Sequence, residues 1–279
     1  MTQAAAPAST APNSDAARSN AVRDKSRNVA FDVPQFRVSE HNAHYEGEYD
    51  ARMLCWRQLG AADKAANLAT LLGTKAANIG SVLEVGCGTG DVLAAVKALG
   101  IGNDHRGVDV ADPEAHRGNN LSGTYATGAL QLDSFDGVRL PYADNSFDLV
   151  FASHVLEHVP DERGFLVELA RVAKGPIYLE VPCELNLRTS EANMQTTLDI
   201  GHINAYTPES FVLTLATGGL NVGAMHLFDH SRNIHQFTSS APAAAAKMVM
   251  RRGLLKLSPR FASRLFTYHA GALCTQRTL

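Results

Sequence analysis

The stretch Val82–Asp91 reads Val-Leu-Glu-Val-Gly-Cys-Gly-Thr-Gly-Asp. Its first residues predict a buried strand, and three alternating glycines follow that strand. Beyond them, apolar residues recur at helical spacing, at Val92, Leu93, Val96 and Leu99. Glycine lets the backbone approach a ligand closely, and the first turn of a helix offers N–H donors without partners. A strand, a glycine turn and a helix in this order predict a nucleotide-binding corner.

The spacing of the glycines separates two kinds of ligand. A dinucleotide-binding turn needs G-x-G-x-x-G, and Gly86 and Gly88 supply only its first two glycines. The third position holds Asp91, whose negative charge opposes a pyrophosphate. An NAD-dependent oxidoreductase is therefore a rival interpretation that Asp91 disfavours. A tight turn without any ligand is another, but three glycines flanked by acids exceed what an ordinary turn needs.

Length, charge and cysteine content narrow the class of protein. The chain has 279 residues and a net charge of −3, which does not favour a nucleic-acid partner. No stretch approaches the ~18 apolar residues of a membrane span. The four cysteines are far apart and form no pair motif, so we expect a cytoplasmic protein; they are Cys55, Cys87, Cys183 and Cys274.

The composition predicts two regions of unequal order. Residues 1–30 are rich in Ala, Ser and Asn, so we expect a disordered tail. A transit peptide is the alternative for this tail, and Asp15 and Asp24 weaken it. For residues 31–279 we expect one α/β domain, with a core at 78–228 and a basic helical insertion at about 231–264.

Strand and helix patterns alternate along this domain, which predicts a parallel sheet with crossover helices. Strands are expected at 81–85, 106–110, within 129–135, and at 147–153, 177–181, 220–228 and 265–274. Helices are expected within 41–72, at 161–173 and from Thr207, with a polar insertion at 183–206.

Asp109 stands at the end of the second strand, 23 residues beyond Gly86. A carboxylate at this place can accept hydrogen bonds from both hydroxyls of a ribose. An ordinary acid in a turn is the alternative, and the preceding glycine turn favours the ligand.

Two further motifs accompany the glycine turn: Leu140-Pro141-Tyr142 with Ser146-Phe147-Asp148, and Leu156-Glu157-His158-Val159. Together with Glu-x-Gly-x-Gly-x-Gly, they resemble the class I S-adenosylmethionine-dependent methyltransferases over about Val82–Pro182. The resemblance implies S-adenosylmethionine as the cofactor. It also implies a doubly wound, mostly parallel α/β sheet of seven strands, in the order 3-2-1-4-5-7-6 with strand 7 antiparallel.

The resemblance also assigns residues to the cofactor. Its methionine part is expected to lie against the turn, at Glu84, Gly86, Cys87 and Gly88. The family places an acid near the adenine amino group at Asp136, with Asp133 as a competing choice. Ser153 and His154 are expected beside the methionine and the reacting methyl group.

Histidines supply the candidates for acid–base chemistry. His202 follows the fifth strand, at the edge where α/β sites open, and a neutral imidazole there can take a proton from a hydroxyl. A histidine that only fixes its loop is an equal alternative. His154, Glu157 and His158 have metal-ligand spacing, to which His202 could add a ligand. Because Leu-Glu-His-Val is common in relatives without an ion, we expect no metal.

The implied function is methyl transfer from S-adenosylmethionine to a small-molecule or lipid-like acceptor, at an oxygen atom. A non-catalytic protein that binds the cofactor or a partner on the same fold is the alternative. From Ser231 onward the chain has no Asp or Glu and eight Lys or Arg, which suggests an anionic acceptor. The pairs Lys247/Arg251 and Arg252/Lys256 could grip an anionic substrate or contact a membrane surface, or they could belong to a solvated cover helix.

Overall fold

The computed structural model describes residues 22–24, 29–31, 51–111 and 130–277. The chain divides into two units, Met1–Phe36 and Arg37–Leu279. In the first unit, strand β1 (Val22–Asp24) pairs antiparallel with strand β2 (Val29–Phe31). The structure thus describes paired backbone inside the stretch for which we expect a disordered tail. An isolated two-stranded pair is only marginally stable in water, and the rest of the expected tail lies outside the described residues.

The second unit contains a seven-stranded sheet. Its strands are β3 (Ser81–Val85), β4 (Asp104–Asp109), β5 (Gln131–Ser134), β6 (Leu149–Ser153), β7 (Ile177–Pro182), β8 (Leu220–Phe228) and β9 (His269–Gln276). They lie in the order β5-β4-β3-β6-β7-β9-β8, and only β9 runs antiparallel to its neighbours. Numbered within the sheet, this order is 3-2-1-4-5-7-6 with strand 7 antiparallel, which confirms the expected fold class.

Helices flank the sheet. They are α1 (Ala51–Leu72), α2 (Asp91–Ala98), α3 (Glu162–Val172), α4 (Glu191–Asp199), α5 (Pro208–Thr217), α6 (Arg232–Thr238), α7 (Ala241–Leu257) and α8 (Pro259–Leu265). Side chains cap four of the starts, at Asp161, Ser190, Thr207 and Ser258; Asp161 accepts from Gly164 N, and Thr207 forms a capping box with Ser210. Among the described residues, no helix is both long and apolar enough to cross a membrane.

The sheet buries apolar side chains on both faces. In β3, Val82 packs with α1 and α2, whereas Leu83 packs with α3 and α5. In β6, Phe151 likewise packs on the side of α1 and α2, and Val150 packs on the side of α3 and α5. Neighbouring residues of a strand point to opposite faces of the sheet, which explains this alternation. Covering helices on both faces explain why these strands are almost wholly apolar. The loops that follow the parallel strands lie at one edge of the sheet, where ligands of open α/β sheets bind.

Two elements differ from the sequence expectation. The last strand begins at His269 rather than Leu265, because Ser258 caps and Pro259 starts the helix α8. Helix α4 lies in the segment predicted as a polar insertion. None of its residues is buried, so its sequence lacks the helical repeat of apolar residues from which a helix is predicted. Of the first expected helix, the structure describes α1, and 41–50 lie outside the described residues.

Candidate functional site

The glycine turn between β3 and α2 requires its glycines. Gly86, Gly88 and Gly90 have φ of 77°, 50° and 78°, a region that residues with a side chain rarely adopt. A Cβ on Gly86 would lie 2.3 Å from the Val155 side chain, and one on Gly88 would lie 2.1 Å from the Arg57 guanidinium. The turn therefore presents bare backbone where other residues would present a side chain.

Asp109 is tied to this turn. Gly88 N donates to its Oδ2 at 2.7 Å, and Ala111 N donates to its Oδ1 at 3.1 Å. Each carboxylate oxygen keeps a second acceptor position. The structure thus fixes an acceptor group at the carboxyl ends of β3 and β4, directly over the turn.

Glu84 and Cys87 lie beneath the turn rather than on its surface. Glu84 is 1% exposed, and its Oε2 accepts from Leu93 N in the first turn of α2 at 2.9 Å. Burial raises the pKa of Glu84 to about 8. The Cys87 thiol is also buried, and burial raises its pKa well above the usual value. Contact of these two side chains with a cofactor stays a prediction.

Asp91 is the first residue of α2, where an N-terminal helix dipole would otherwise favour a phosphate. Its Oδ2 accepts from Thr89 Oγ1, and it is 5% exposed. A buried carboxyl in this position occupies the place of a pyrophosphate, which weighs against the NAD interpretation.

Two acids, Asp136 and Asp133, are candidates for the contact with an adenine. Asp136 is exposed, and its Oδ1 accepts from Val138 N at 2.9 Å and Arg139 N at 2.8 Å. These backbone hydrogen bonds, led by that from Arg139, lower the pKa of Asp136. The competing Asp133 is exposed on β5. Asp136 and Asp133 both remain candidates.

Ser153 and His154 end β6 at the same edge. Ser153 is 6% exposed, and its Oγ has no hydrogen-bond partner in the part of the chain that the structure describes. His154 has φ 59°, an unusual value for a residue with a side chain, and its N–H donates to Glu180 O at 2.8 Å. The strand end thus turns the imidazole of His154 toward β7.

There His154 meets two residues that the sequence analysis missed. His154 Nε2 lies 3.2 Å from His269 Nδ1, and each of these atoms lies 3.4 Å from Glu180 Oε1. Burial would raise the pKa of Glu180, but its contacts with the two imidazoles outweigh burial and lower that pKa. Burial lowers the pKa of His154 well below the usual value. Glu180 is an acid inside the otherwise apolar run 177–181, and this exception could have identified it as a site residue. No pattern in the sequence identifies His269.

His202 lies in a neighbouring cluster. Its Nδ1 is 2.9 Å from Glu184 Oε2, and its ring meets that of His158 at 4.7 Å between centroids. Burial would lower the pKa of His202, but the hydrogen bond to Glu184 and the charge of Glu157 raise it. Glu157 also links the clusters, because its Oε1 is 3.7 Å from His154 Nδ1. Both proposed catalytic histidines therefore lie at one edge of the sheet, joined through a buried carboxyl group.

Helix α1 brings polar residues over this edge that the sequence analysis also missed. The Arg57 guanidinium lies over Gly88, and Asn67 Nδ2 donates to Glu180 Oε2 at 3.2 Å. Burial lowers the pKa of Lys64, while the charge of Glu180 partly offsets this effect. Apolar spacing identified only the face of α1 that packs on the sheet, so it gave no signal for Arg57, Lys64 and Asn67.

Comparisons with known proteins agree with this arrangement. A family model described as a methyltransferase domain matches residues 83–176. Tocopherol O-methyltransferase of Arabidopsis thaliana is 32% identical over 120 residues, covering 42% of this chain and 34% of that protein. Demethylmenaquinone methyltransferase of Lactobacillus johnsonii is 35% identical over 100 residues, covering 33% of this chain and 38% of that protein. The matches thus span about a third of the length of these relatives.

A solved structure extends the likeness beyond the matched segment. Geranyl diphosphate C-methyltransferase from Streptomyces coelicolor A3(2), in complex with Mg²⁺, geranyl diphosphate and S-adenosyl-L-homocysteine, has a TM-score of 0.53. It is 13% identical, and the superposition covers 76% of this chain and 78% of that one, which shows a shared fold. The sheet order, the glycine turn and the matched domain lead to one conclusion: residues 83–176 match a methyltransferase domain, and the chain has the fold of the class I S-adenosylmethionine-dependent methyltransferases.

Proposed function

We propose that this protein transfers a methyl group from S-adenosylmethionine to a small-molecule acceptor. The observation that carries the proposal is the glycine turn with Asp109 bound to Gly88 N at 2.7 Å. The carboxylate and the bare backbone form an acceptor and a flat surface at the carboxyl ends of β3 and β4. Nucleoside ligands of open α/β sheets bind at this position.

The residues at this edge fit the cofactor. Asp109 would accept from the ribose hydroxyls, and Gly86 and Gly88 would leave room for the methionine part. The buried Ser153 Oγ and the Arg57 guanidinium offer polar contacts to its amino and carboxylate groups. When bound, S-adenosylmethionine supplies a methyl group on a sulfonium, which is a good leaving group. The protein must then only position the acceptor, exclude water and remove a proton.

We further propose that the acceptor atom is a hydroxyl oxygen, with His202 as the base and His154 beside the reacting group. In the His202 ring, Nδ1 faces Glu184, so its hydrogen is donated there and Nε2 carries the lone pair. The Glu184 carboxylate would stabilise the imidazolium that forms when Nε2 takes the proton. A tocopherol O-methyltransferase among the relatives supports transfer to oxygen.

The acceptor that we propose is lipid-like. The names of two relatives point to tocopherol and demethylmenaquinone, both of which have an aromatic head group and an apolar tail. Helices α7 and α8 expose apolar and basic side chains together, at Val249, Met250, Arg252, Lys256, Leu257 and Phe261. This basic apolar face would allow contact with an anionic membrane surface, from which such an acceptor is taken.

One member of the predicted basic helix does not belong to that face. Arg251 is 5% exposed, with its Nε 2.6 Å from Asp229 Oδ1 and its guanidinium 4.4 Å from the Tyr268 ring centre. Lys247 and Arg251 therefore do not form an exposed basic pair, because the Arg251 guanidinium already has a buried partner. Arg252 and Lys256 remain exposed.

We propose a cytoplasmic location. The four cysteines form no disulfide, and three of them are buried thiols. Unpaired cysteines are typical of a reducing compartment. The expected location is open to a direct check by fractionating cells and probing for the protein.

Calorimetry tests the proposed cofactor site. Asp109→Ala removes a charged acceptor of the ribose and should weaken S-adenosylmethionine binding by about 1–3 kcal/mol. The control is Asp104→Ala, an exposed acid at the other end of β4, which should bind like the wild type. Equal affinity in both variants, or tight binding of NAD by the wild type, would contradict the proposal.

Product formation separates an enzyme from the non-catalytic alternative. The cofactor is incubated with tocopherol, demethylmenaquinone or a secondary amine, and S-adenosylhomocysteine and the methylated product are measured. Product from tocopherol, which bears a hydroxyl, supports the proposal, whereas product from demethylmenaquinone alone, a quinone without a hydroxyl, would place the transfer on another atom. Product from the amine alone would overturn transfer to oxygen. Binding of the cofactor without product from any acceptor would favour the non-catalytic protein.

A further inference from the structure

We propose that His154, Glu180 and His269 form a site for a divalent transition-metal ion of the zinc type. This site differs from the sequence pattern His154–Glu157–His158, on which the expectation of no metal was based. It combines the ends of three strands, because β9 runs antiparallel and brings His269 beside the end of β7. Two imidazoles and one carboxylate are ligands that zinc prefers.

The three ligand atoms have the spacing of a tetrahedral site. His154 Nε2, His269 Nδ1 and Glu180 Oε1 are separated by 3.2, 3.4 and 3.4 Å. Zinc binds imidazole nitrogen and carboxylate oxygen at about 2.0–2.2 Å, so ligand atoms at tetrahedral angles lie about 3.3–3.5 Å apart. The triangle therefore accommodates an ion with little movement of the side chains.

The carboxylate is held as a metal ligand is held. The Glu180 side chain is fully buried, and its Oε2 accepts from the Tyr178 hydroxyl and from Asn67 Nδ2. Its Oε1 points toward the two imidazoles but makes no hydrogen bond within the described part of the chain. Outer hydrogen bonds of this kind orient ligands in metal sites. An ion between the three side chains would give this buried oxygen a direct ligand bond in place of its two contacts with the imidazoles at 3.4 Å.

The site also has an open side. The side chains of His154 and His269 are 19% and 12% exposed, whereas that of Glu180 is not exposed. Three protein ligands and one accessible position are typical of catalytic rather than structural zinc. At that position an ion would bind water or a hydroxyl and lower its pKa. This role rests on the proposed function, whereas binding of the ion does not.

A second group of ligands lies nearby but is less well formed. Its members are Glu157, His158 and His202, and His158 Nδ1 already lies 2.9 Å from Gly201 O. His202 Nδ1 is already bound to Glu184. Glu157 Oε1 lies 3.7 Å from His154 Nδ1, so Glu157→Gln reports on this second group, and Asp91, a buried acid at the start of α2, supplies the control for the loss of a buried acid.

The test uses the full chain, purified without a histidine tag, treated with a chelator and studied without S-adenosylmethionine. Co²⁺ is titrated while the visible ligand-field spectrum is recorded, and Zn²⁺ affinity is measured by competition with a coloured chelator. We expect one ion per chain and a tetrahedral Co²⁺ spectrum. Glu180→Gln and His269→Gln should each weaken Zn²⁺ binding by at least about 10–100-fold. Asp91→Asn, which changes a buried acid outside both ligand groups, should bind like the wild type.

The variants make each outcome decisive. Circular dichroism first shows whether Glu180→Gln is folded; if it is not, His269→Gln, at the start of β9, carries the test. No bound ion in the wild type would overturn the proposal, as would binding lost in Glu157→Gln but kept in His269→Gln. Because no cofactor is present, failure of metal binding leaves methyl transfer untouched, and failure of methyl transfer leaves the metal result untouched.

Discussion

At the residue scale, the buried carboxyl of Glu84 should make the stability of the fold depend on pH. Its folded-state pKa is about 8, against an ordinary 4.5. At a pH between these two values, the Glu84 carboxyl is ionised in the unfolded chain but keeps its proton in the folded protein. Stability is therefore full below pH 4.5 and falls by about 1.4 kcal/mol per pH unit toward pH 8. Glu84→Gln should remove this loss, since an amide oxygen can still accept from Leu93 N.

Chemical denaturation at several pH values measures this effect. Glu84→Gln and wild type should be similarly stable near pH 5, and the variant should be more stable by up to about 4 kcal/mol at pH 8. Glu191→Gln, an exposed acid of α4, should follow the wild type within about 0.5 kcal/mol. A gap between Glu84→Gln and wild type that stays constant with pH would show that Glu84 is not protonated in the fold.

His202 and Glu184 give a second prediction at this scale. If His202 removes the proton, His202→Asn should lower turnover by about 10²–10⁴-fold with little change in cofactor affinity. Glu184→Gln removes the contact that raises the pKa of His202, so the acid limb of the rate profile should move to lower pH. The rates are measured with the acceptor that gives product. An unmoved limb, or an equal loss of cofactor affinity, would assign His202 to loop packing.

At the scale of elements, Asp148 holds two strand starts together. Its Oδ2 accepts from Gly80 N, which precedes β3, and from Ser81 N, which starts that strand. Its Oδ1 forms an ion pair with Lys174 Nζ at 2.9 Å. The Lys174 hydrogen bond is the main reason that the pKa of Asp148 falls to about 2 from an ordinary 3.8. A lowered pKa contributes stability above pH 3.8 that is lost as the pH falls toward 2.

Asp148→Asn tests this anchor. Because the side chain is partly solvated, we expect a loss of only about 1 kcal/mol at pH 7, and the gap to wild type should close near pH 2. Asp104→Asn, an exposed acid on β4, should cost less than about 0.5 kcal/mol in the same denaturation series. A gap for Asp148→Asn that persists at low pH would indicate lost packing rather than lost charge.

The elements also show what the sequence could reveal. The glycine turn, the apolar strand β6 and the capping residue Thr207 are local signals, and the structure places all three as expected. Helix α4 gave no signal because none of its residues is buried, and periodicity records burial. The contact of His154 with His269 joins residues 115 positions apart through an antiparallel strand. No local pattern encodes such a contact, so the sequence predicted His154 as a site residue but not its partner His269.

At the scale of the whole molecule, basic charge is concentrated in the C-terminal part of the chain, beyond the strands that carry the proposed cofactor site. The C-terminal stretch from Ser231 has only basic charges, and its exposed part includes Arg252 and Lys256 beside Leu257. Helical spacing places Val249, Arg252, Lys256 and Leu257 on one side of α7. A surface that is both basic and apolar should attract anionic lipid by charge and then bury its apolar side chains in the interface.

Vesicle sedimentation tests this surface. We expect binding to vesicles with phosphatidylglycerol, weaker binding to pure phosphatidylcholine, and a loss of binding as salt rises, because salt screens exposed charges. Each basic residue near the lipid contributes about 1 kcal/mol, so Arg252→Gln with Lys256→Gln should weaken binding roughly 30-fold. Arg277→Gln, exposed beyond β9, is the control and should bind like the wild type.

If the control weakens binding as much as the double variant, attraction comes from overall charge, and the face of α7 has no specific role. If neither lipid is bound, the acceptor must reach the site through water.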